Sequence, residues 1–280
     1  MSNSVVAAIL FAALLHAGWN ALIKRGDQDA LIATIGIALG SALISLCLLP
    51  FVAAPDVASW PFLAASTLPQ IAYYALIAWV YRRSDLGLAY PVMRGTAPLF
   101  VTAANAILFG EELSPLGLLG VACICSGVIL IAGGRFKGSN AGTTVMTAIG
   151  IAIVIASYTV LDGIGVRLSR SPAGYTLWIF LLTGAAMGGW GMIWHRTQLF
   201  ESFRTAYWVP IAGGASTLIS YGIALWAMTL APVAAVAALR ETSILFATLI
   251  SVFLLREQMT WIRIVAAALL TVGAVAIRLS

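Results

Sequence analysis

Charge is what this chain of 280 residues has least of: 9% of its side chains are Asp, Glu, Lys or Arg, where a soluble domain carries roughly 25%. So few charges cannot clothe a surface in water, which excludes a soluble enzyme, a secreted disulfide scaffold and a disordered chain. Histidine is nearly absent, with two copies, and there are three cysteines. Cys47, Cys123 and Cys125 lie inside apolar runs with no histidine nearby, so they read as small core residues and not as a metal site or disulfide framework. No nucleophile paired with a base, no metal cluster and no phosphate loop stands out, so no catalytic residue, metal or cofactor is expected. The net charge of +5 does not describe a nucleic-acid face, because the Lys and Arg fall singly or in pairs between apolar runs.

What the chain does have is apolar length: 61% of residues are hydrophobic and the mean hydropathy is +1.01. Runs of spanning length fall at about 4–23, 31–50, 62–81, 88–109, 115–134, 144–166, 173–194, 207–228, 232–254 and 260–278. They are continuous and not alternating, which favours helices over a barrel. The breaks combine charge with capping or helix-ending residues, as in Lys24-Arg25-Gly26-Asp27, Arg82-Arg83-Ser84-Asp85, Arg135-Phe136-Lys137-Gly138 and Ser169-Arg170-Ser171-Pro172. The first run has no basic segment before it and no cleavage pattern after it, and reads as a retained helix. Gly36 with Gly40, and Gly184 with Gly188, form small faces suited to close helix packing.

The chain also repeats itself. Shifted by 146 positions, Arg94-Gly95-Thr96 falls on Arg240-Glu241-Thr242, Thr102 on Thr248, Glu111 on Glu257 and Gly127 on Gly273. One residue of slack lays Tyr74 and Trp79 on Tyr221 and Trp226. The expected fold is therefore an all-α polytopic membrane protein of ten transmembrane helices, in halves 1–137 and 141–280. An odd number of spans per half forces the second copy to enter from the opposite side, so the repeat is inverted around a central cavity, the arrangement of secondary carriers.

Gly110-Glu111-Glu112-Leu113 followed by Gly120, Gly127 and Gly133-Gly134, echoed by Arg256-Glu257-Gln258-Met259 through Gly273, resembles the ends of each half in the drug/metabolite transporter superfamily, in its ten-helix EamA-type members. The resemblance implies a basket in which spans 1, 3, 4, 6, 8 and 9 surround the cavity while 5 and 10 stand outside. It also implies export or exchange of small metabolites, with the aromatic amino-acid exporters among the similar members.

Arg94 and Arg240 stand inside spans. A guanidinium at bilayer depth costs roughly 2.5–3.5 kcal/mol on insertion scales, so both should face a cavity or a partner. Two forked donors bracketing the midplane suit a carboxylate or phosphate; alternatively they serve ion pairs with Glu241 and Asp162, the acidic residues well inside spans, which are also the candidates for ion coupling. Pro98, with Gly95 beside it, should bend span 4 and is the candidate gating hinge. Tyr74, Tyr158, Tyr221 and Trp19 belong to an aromatic set that includes Tyr73, Trp79, Tyr90 and Trp226, and can contact a substrate body. His16 shares a face with Trp19 and Asn20 and offers polar selection or a titratable group. Glu111 and Glu257, at span ends, read as structural.

The expected activity is secondary transport, without catalysis, of an amino acid or related carboxylate, with aromatic or other apolar ones foremost, exported across a bacterial-type inner membrane by alternating access. A phosphorylated or phosphonate cargo is the alternative; a passive channel or an intramembrane enzyme lies further off. The partners expected are a small molecule and the lipid bilayer, with monomer and homodimer both open. Lys24, Arg25, Arg82, Arg83, Arg135, Lys137, Arg196, Arg204, Arg256 and Arg263 share one side, against Arg167, Arg170 and Arg278 on the side of the termini. The positive-inside rule then places both termini outside, although the superfamily is usually drawn with them in the cytoplasm.

Overall fold

The structure, a computed structural model, describes residues 1–25, 29–83, 86–133, 141–255 and 259–280. The turns carrying Gly26, Asp27, Ser84, Asp85, Arg135, Lys137, Arg256 and Glu257 lie outside the described residues, as does most of the junction expected between 137 and 141. The described chain forms helices α1 (Asn3–Arg25), α2 (Ala30–Leu48), α3 (Trp60–Arg83), α4 (Leu86–Phe109), α5 (Pro115–Leu130), α6 (Ala141–Ser169), α7 (Pro172–Trp194), α8 (Arg196–Ala206), α9 (Trp208–Met228), α10 (Val233–Arg240), α11 (Ser243–Leu255) and α12 (Trp261–Leu279), with no strand among these residues.

Local chemistry sets the helix ends. Asp29, Ser114, Ser171 and Thr260 accept hydrogen bonds from the backbone N–H groups of Leu31, Gly117, Gly174 and Arg263, supplying acceptors that the first turn of a helix lacks. Pro115 and Pro172 follow their caps at the one place where a missing N–H is harmless. Gly110 ends α4 with φ +62°, in the left-handed region that favours glycine.

Among the described residues seven helices, with α10 and α11 taken as one path, are long and apolar enough to cross a bilayer, and Asn3–Gly18 and Pro115–Leu130 are shorter apolar stretches. α3 has the length, 24 residues or about 36 Å, but its apolar character is diluted by Ser66, Thr67, Gln70, Tyr73 and Tyr74. The sequence expectation is corrected twice. Residues 196–206, expected as a connection, form the amphipathic helix α8, with Leu199 and Ser202 buried and Phe200 exposed. The ninth span, expected as one helix over 232–254, is broken at Glu241–Thr242 into α10 and α11.

The packing shows two repeated halves, inverted. α5 and α12 occupy matching places in the repeat and cross in close contact: a β-carbon on Gly120 would lie 2.8 Å from the Gly273 carbonyl oxygen, and one on Gly127 would lie 3.0 Å from that of Ala266. As the contact moves forward along α5 it moves backward along α12, so the copies are antiparallel. The shift of 146 carries Gly127 to Gly273 and Gly120 to Ala266, so each contact is the two-fold mate of the other, as an isologous seam requires. The other pairings agree. α3 and α4 pack on α6 of the opposite half, and α9, α10 and α11 pack on α1. Both small-residue faces serve packing inside the chain: Gly184 rests against Ala38 of α2, Gly188 against Leu39, and Gly40 against the Pro210 backbone of α9.

Candidate functional site: a cavity between the halves

Between the halves lies a cavity of about 120 Å³, lined by His16, Thr34, Ile37, Gln70, Tyr73, Tyr74, Ile77, Tyr90, Arg94, Tyr158, Phe180, Thr217, Ser220, Tyr221 and Arg240. Helical spacing explains the set. Gln70, Tyr73, Tyr74 and Ile77 recur every three or four residues along one face of α3, and Thr217, Ser220 and Tyr221 occupy the corresponding face of α9. Tyr90 and Arg94 are one turn apart on α4. Besides the helices expected from the resemblance, α2 contributes Thr34 and Ile37 and α7 contributes Phe180; α5 and α12 contribute nothing to the lining.

The cavity is not centred. Thr34 and Tyr90 stand four residues from the starts of α2 and α4, about 6 Å from the helix ends on the side of the α1–α2 and α3–α4 turns. On the side of the termini it stops at Phe180 and Arg240, about 10 Å or more inside the starts of α7 and α10. That side is closed by polar ties. Arg167, at the end of α6, donates to the carbonyls of Met228 (2.7 Å) and Ala231 (3.0 Å) and to Glu111 Oε1 (3.0 Å). Glu111 thus has the structural role expected of it, while Glu257 lies outside the described residues.

Two arrangements of charge sit at this depth. Arg94 of α4 and Glu241, the residue capping α10, form an ion pair across the halves at 2.9 Å, with their side chains 7% and 5% exposed. Arg240 is placed differently: its guanidinium lies over the ring of Tyr221, 4.8 Å from the centroid, a cation–π contact, and no carboxylate pairs with it among the described residues. The expectation of two equivalent arginines is therefore corrected, because the repeat has Gly95 where the second half has Glu241 and Arg240 has no matching acid.

Asp162 is fully buried and pairs with no arginine among the described residues. It accepts from Tyr175 Oη (3.0 Å), Tyr221 Oη (2.5 Å) and Gln70 Nε2 (3.1 Å), and Gln70 also donates to Ser66 Oγ (3.1 Å). The ion pair expected at Asp162 is replaced by neutral donors from α3, α7 and α9.

Of the other expected residues, His16, Tyr74 and Tyr158 line the cavity. Tyr73 and Tyr158 meet edge to face at 6.0 Å, as do Phe180 and Tyr221 at 5.9 Å. The side chains of Trp19 and Asn20 lie outside the described residues. Trp79 and Trp226 are 40% and 38% exposed and lie outside the lining. Gly95 lies where α4 crosses α5, with Ile129 Cγ1 2.7 Å from a β-carbon there. α4 stays one helix through Pro91 and Pro98. A break appears in the repeat mate of this stretch, where Glu241, Thr242, Ile244 and Leu245 switch to i−3 backbone bonding. Gln70, Phe180, Thr217 and Ser220 were missed, and Gln70 carried the readable signal of an amide inside an apolar span.

Inverted helical halves packed across a shared polar and aromatic cavity define a polytopic membrane protein of the carrier class. The chain belongs to the EamA-like transporter family, whose profile matches it at residues 3–133 and again at 142–279, so it is a membrane transporter of small molecules. A solved crystal structure of another protein, 16% identical, matches 100% of this chain and 99% of its own with a TM-score of 0.78. At that identity the likeness concerns the fold.

Proposed function

We propose that the chain carries amino acids or similar small carboxylates with apolar or aromatic bodies, by alternating access, and exports them across an inner membrane with its termini outside. The observation that carries this reading is Arg240, a cavity guanidinium held by a ring face and not by a carboxylate, hence a forked donor for an anionic cargo. Tyr73, Tyr74, Tyr158 and Phe180 offer ring faces to the cargo body. Thr217 adds a hydroxyl with no hydrogen-bond partner among the described residues. Gly95, Pro98 and the Glu241–Thr242 break are the places where span 4 and its mate are best suited to bend between states. One arginine paired directly with a carboxylate and one held by a ring face suit a singly charged carboxylate better than a doubly charged phosphonate.

The test is uptake and efflux in proteoliposomes with aromatic and aliphatic amino acids, phosphonates and aromatic cations in parallel. Carboxylate movement that saturates is expected. Phosphonates crossing while every carboxylate stays behind would overturn the reading.

A further inference from the structure

We infer that Asp162 is a proton-binding site linked to the cargo: a carboxylate cargo without an ammonium group binds together with one proton, and a zwitterionic amino acid binds without one. This rests on the proposed anchoring of the cargo carboxylate at Arg240.

The inference follows from how charge is distributed around one ring. Tyr221 donates its hydroxyl to Asp162 at 2.5 Å while its ring face holds the Arg240 guanidinium at 4.8 Å. Arg94 and Glu241 already neutralise each other at 2.9 Å. In the empty cavity Arg240 is thus the cation that balances Asp162, with one tyrosine between them. The side chains bonded to the carboxylate among the described residues are neutral: Ser66 and Gln70 from α3, Tyr175 from α7 and Tyr221 from α9. On its own helix Tyr158 lies one turn away, from α4 the facing charge is the paired Arg94, and from α10 it is Arg240.

A carboxylate bound to Arg240 leaves two negative groups sharing one guanidinium. Like charges at such a distance disfavour double ionisation, and the cheapest relief is a proton on Asp162. The route is built in, because Tyr221 and Gln70 both line the cavity and both bond Asp162. The proton is delivered from the bulk as hydronium: one of its O–H bonds breaks, leaving water, as an O–H bond forms on an Asp162 carboxylate oxygen. A zwitterion brings its own positive charge, which the tyrosine ring faces accept, so Asp162 stays ionised.

Full-length protein in detergent, with a dilute pH-indicator dye, is mixed with 3-phenylpropanoate and, separately, with L-phenylalanine, which differ by the amino group. The expected result is uptake of close to one proton per bound phenylpropanoate and none per bound phenylalanine. Phenylpropanoate affinity should rise by up to tenfold per unit fall in pH, since binding and protonation are linked. In D162N both effects should vanish, with a melting curve reporting that the variant is folded; should it not fold, the comparison of the two ligands on unaltered protein still decides. Phenylpropanoate binding without proton uptake, or phenylalanine binding while phenylpropanoate does not, overturns the inference and leaves the proposed function standing. Failure of every carboxylate to bind overturns the proposed function and this inference with it.

Discussion

The two arginines illustrate how one residue difference divides two roles. Arg94 has Glu241 at 2.9 Å, whereas Arg240 has the face of Tyr221, because Gly95 stands in the repeat where a second acid would be. Arg240→Gln should therefore raise the KM for a carboxylate about tenfold to a hundredfold, the worth of a charge-assisted hydrogen bond, and leave a neutral amide analogue nearly unchanged; competition uptake assays measure both. Arg94 should behave differently. Arg94→Ala leaves Glu241 buried and unpaired, a loss of about 3–5 kcal/mol, and the double change Arg94→Ala with Glu241→Ala should recover much of it. Thermal unfolding of the three variants checks this, and an additive double mutant would place the pair's worth near zero. His16, Tyr74, Arg94, Tyr158, Tyr221 and Arg240, which the sequence marks as polar or aromatic residues too deep to be idle, do meet at one cavity. Thr217, Ser220 and Phe180 were not readable, since hydroxyls and phenyl rings are common in membrane helices and only the facing helix distinguishes them. The division of labour between the arginines was hidden for another reason: it depends on which acid each one reaches across the bundle.

Among the helices, the difference at this repeat position changes the course of a whole span. Gly95 lets α4 run unbroken and press against α5, with Cys125 O only 3.1 Å from where a β-carbon would sit. Glu241 cannot be buried against α12 in the same way. The path breaks there, Glu241 turns onto Arg94, and α10 and α11 lie far less closely on α12 than α4 does on α5. Proline 98 was the sequence's more visible helix breaker, yet a single proline is accommodated inside a membrane helix whose neighbours hold it in place. The break in the mate has no proline or glycine to announce it, which is why the apolar run was legible while its interruption was not. The closest seam, α5 on α12, makes a sharper prediction. Gly273→Val would drive its side chain into the Gly120 carbonyl and Ile124 Cγ1, both 2.7 Å from the β-carbon position. The helices would have to part, and backbone cannot yield as a flexible side chain does. The midpoint of thermal unfolding should fall by several degrees, while Gly142→Ala, where nothing lies within 4 Å, should leave it unchanged.

For the whole molecule, the copies are antiparallel and yet the cavity between them is lopsided, as one state of the proposed alternating cycle would be. Inversion means each half can adopt the other's conformation, which would move the opening to the opposite side. Here the side of the termini is shut by Arg167 on Met228, Ala231 and Glu111, and by the donors gathered around Asp162, while Thr34 and Tyr90 line the cavity near the other side. That other side carries most of the Lys and Arg between spans, so in the proposed orientation, with the termini outside, the cavity lies toward the cytoplasm. Single cysteines at Thr34 and Tyr90, on a background with Cys47, Cys123 and Cys125 replaced, should then react with a membrane-impermeant maleimide in inside-out vesicles and far less in right-side-out ones. Removing the closure should redistribute this pattern. Arg167→Ala frees the α6 end from α9 and the α4–α5 turn, so labelling of a cysteine at Phe180, which lines the cavity from the shut side, should rise from the exterior as labelling at Tyr90 falls. Reciprocal change is what an exchange of two states predicts, because population gained by one is lost by the other. Simultaneous reactivity from both sides would instead describe an open pore, and unchanged labelling in Arg167→Ala would show that the closure resides in the Asp162 cluster alone.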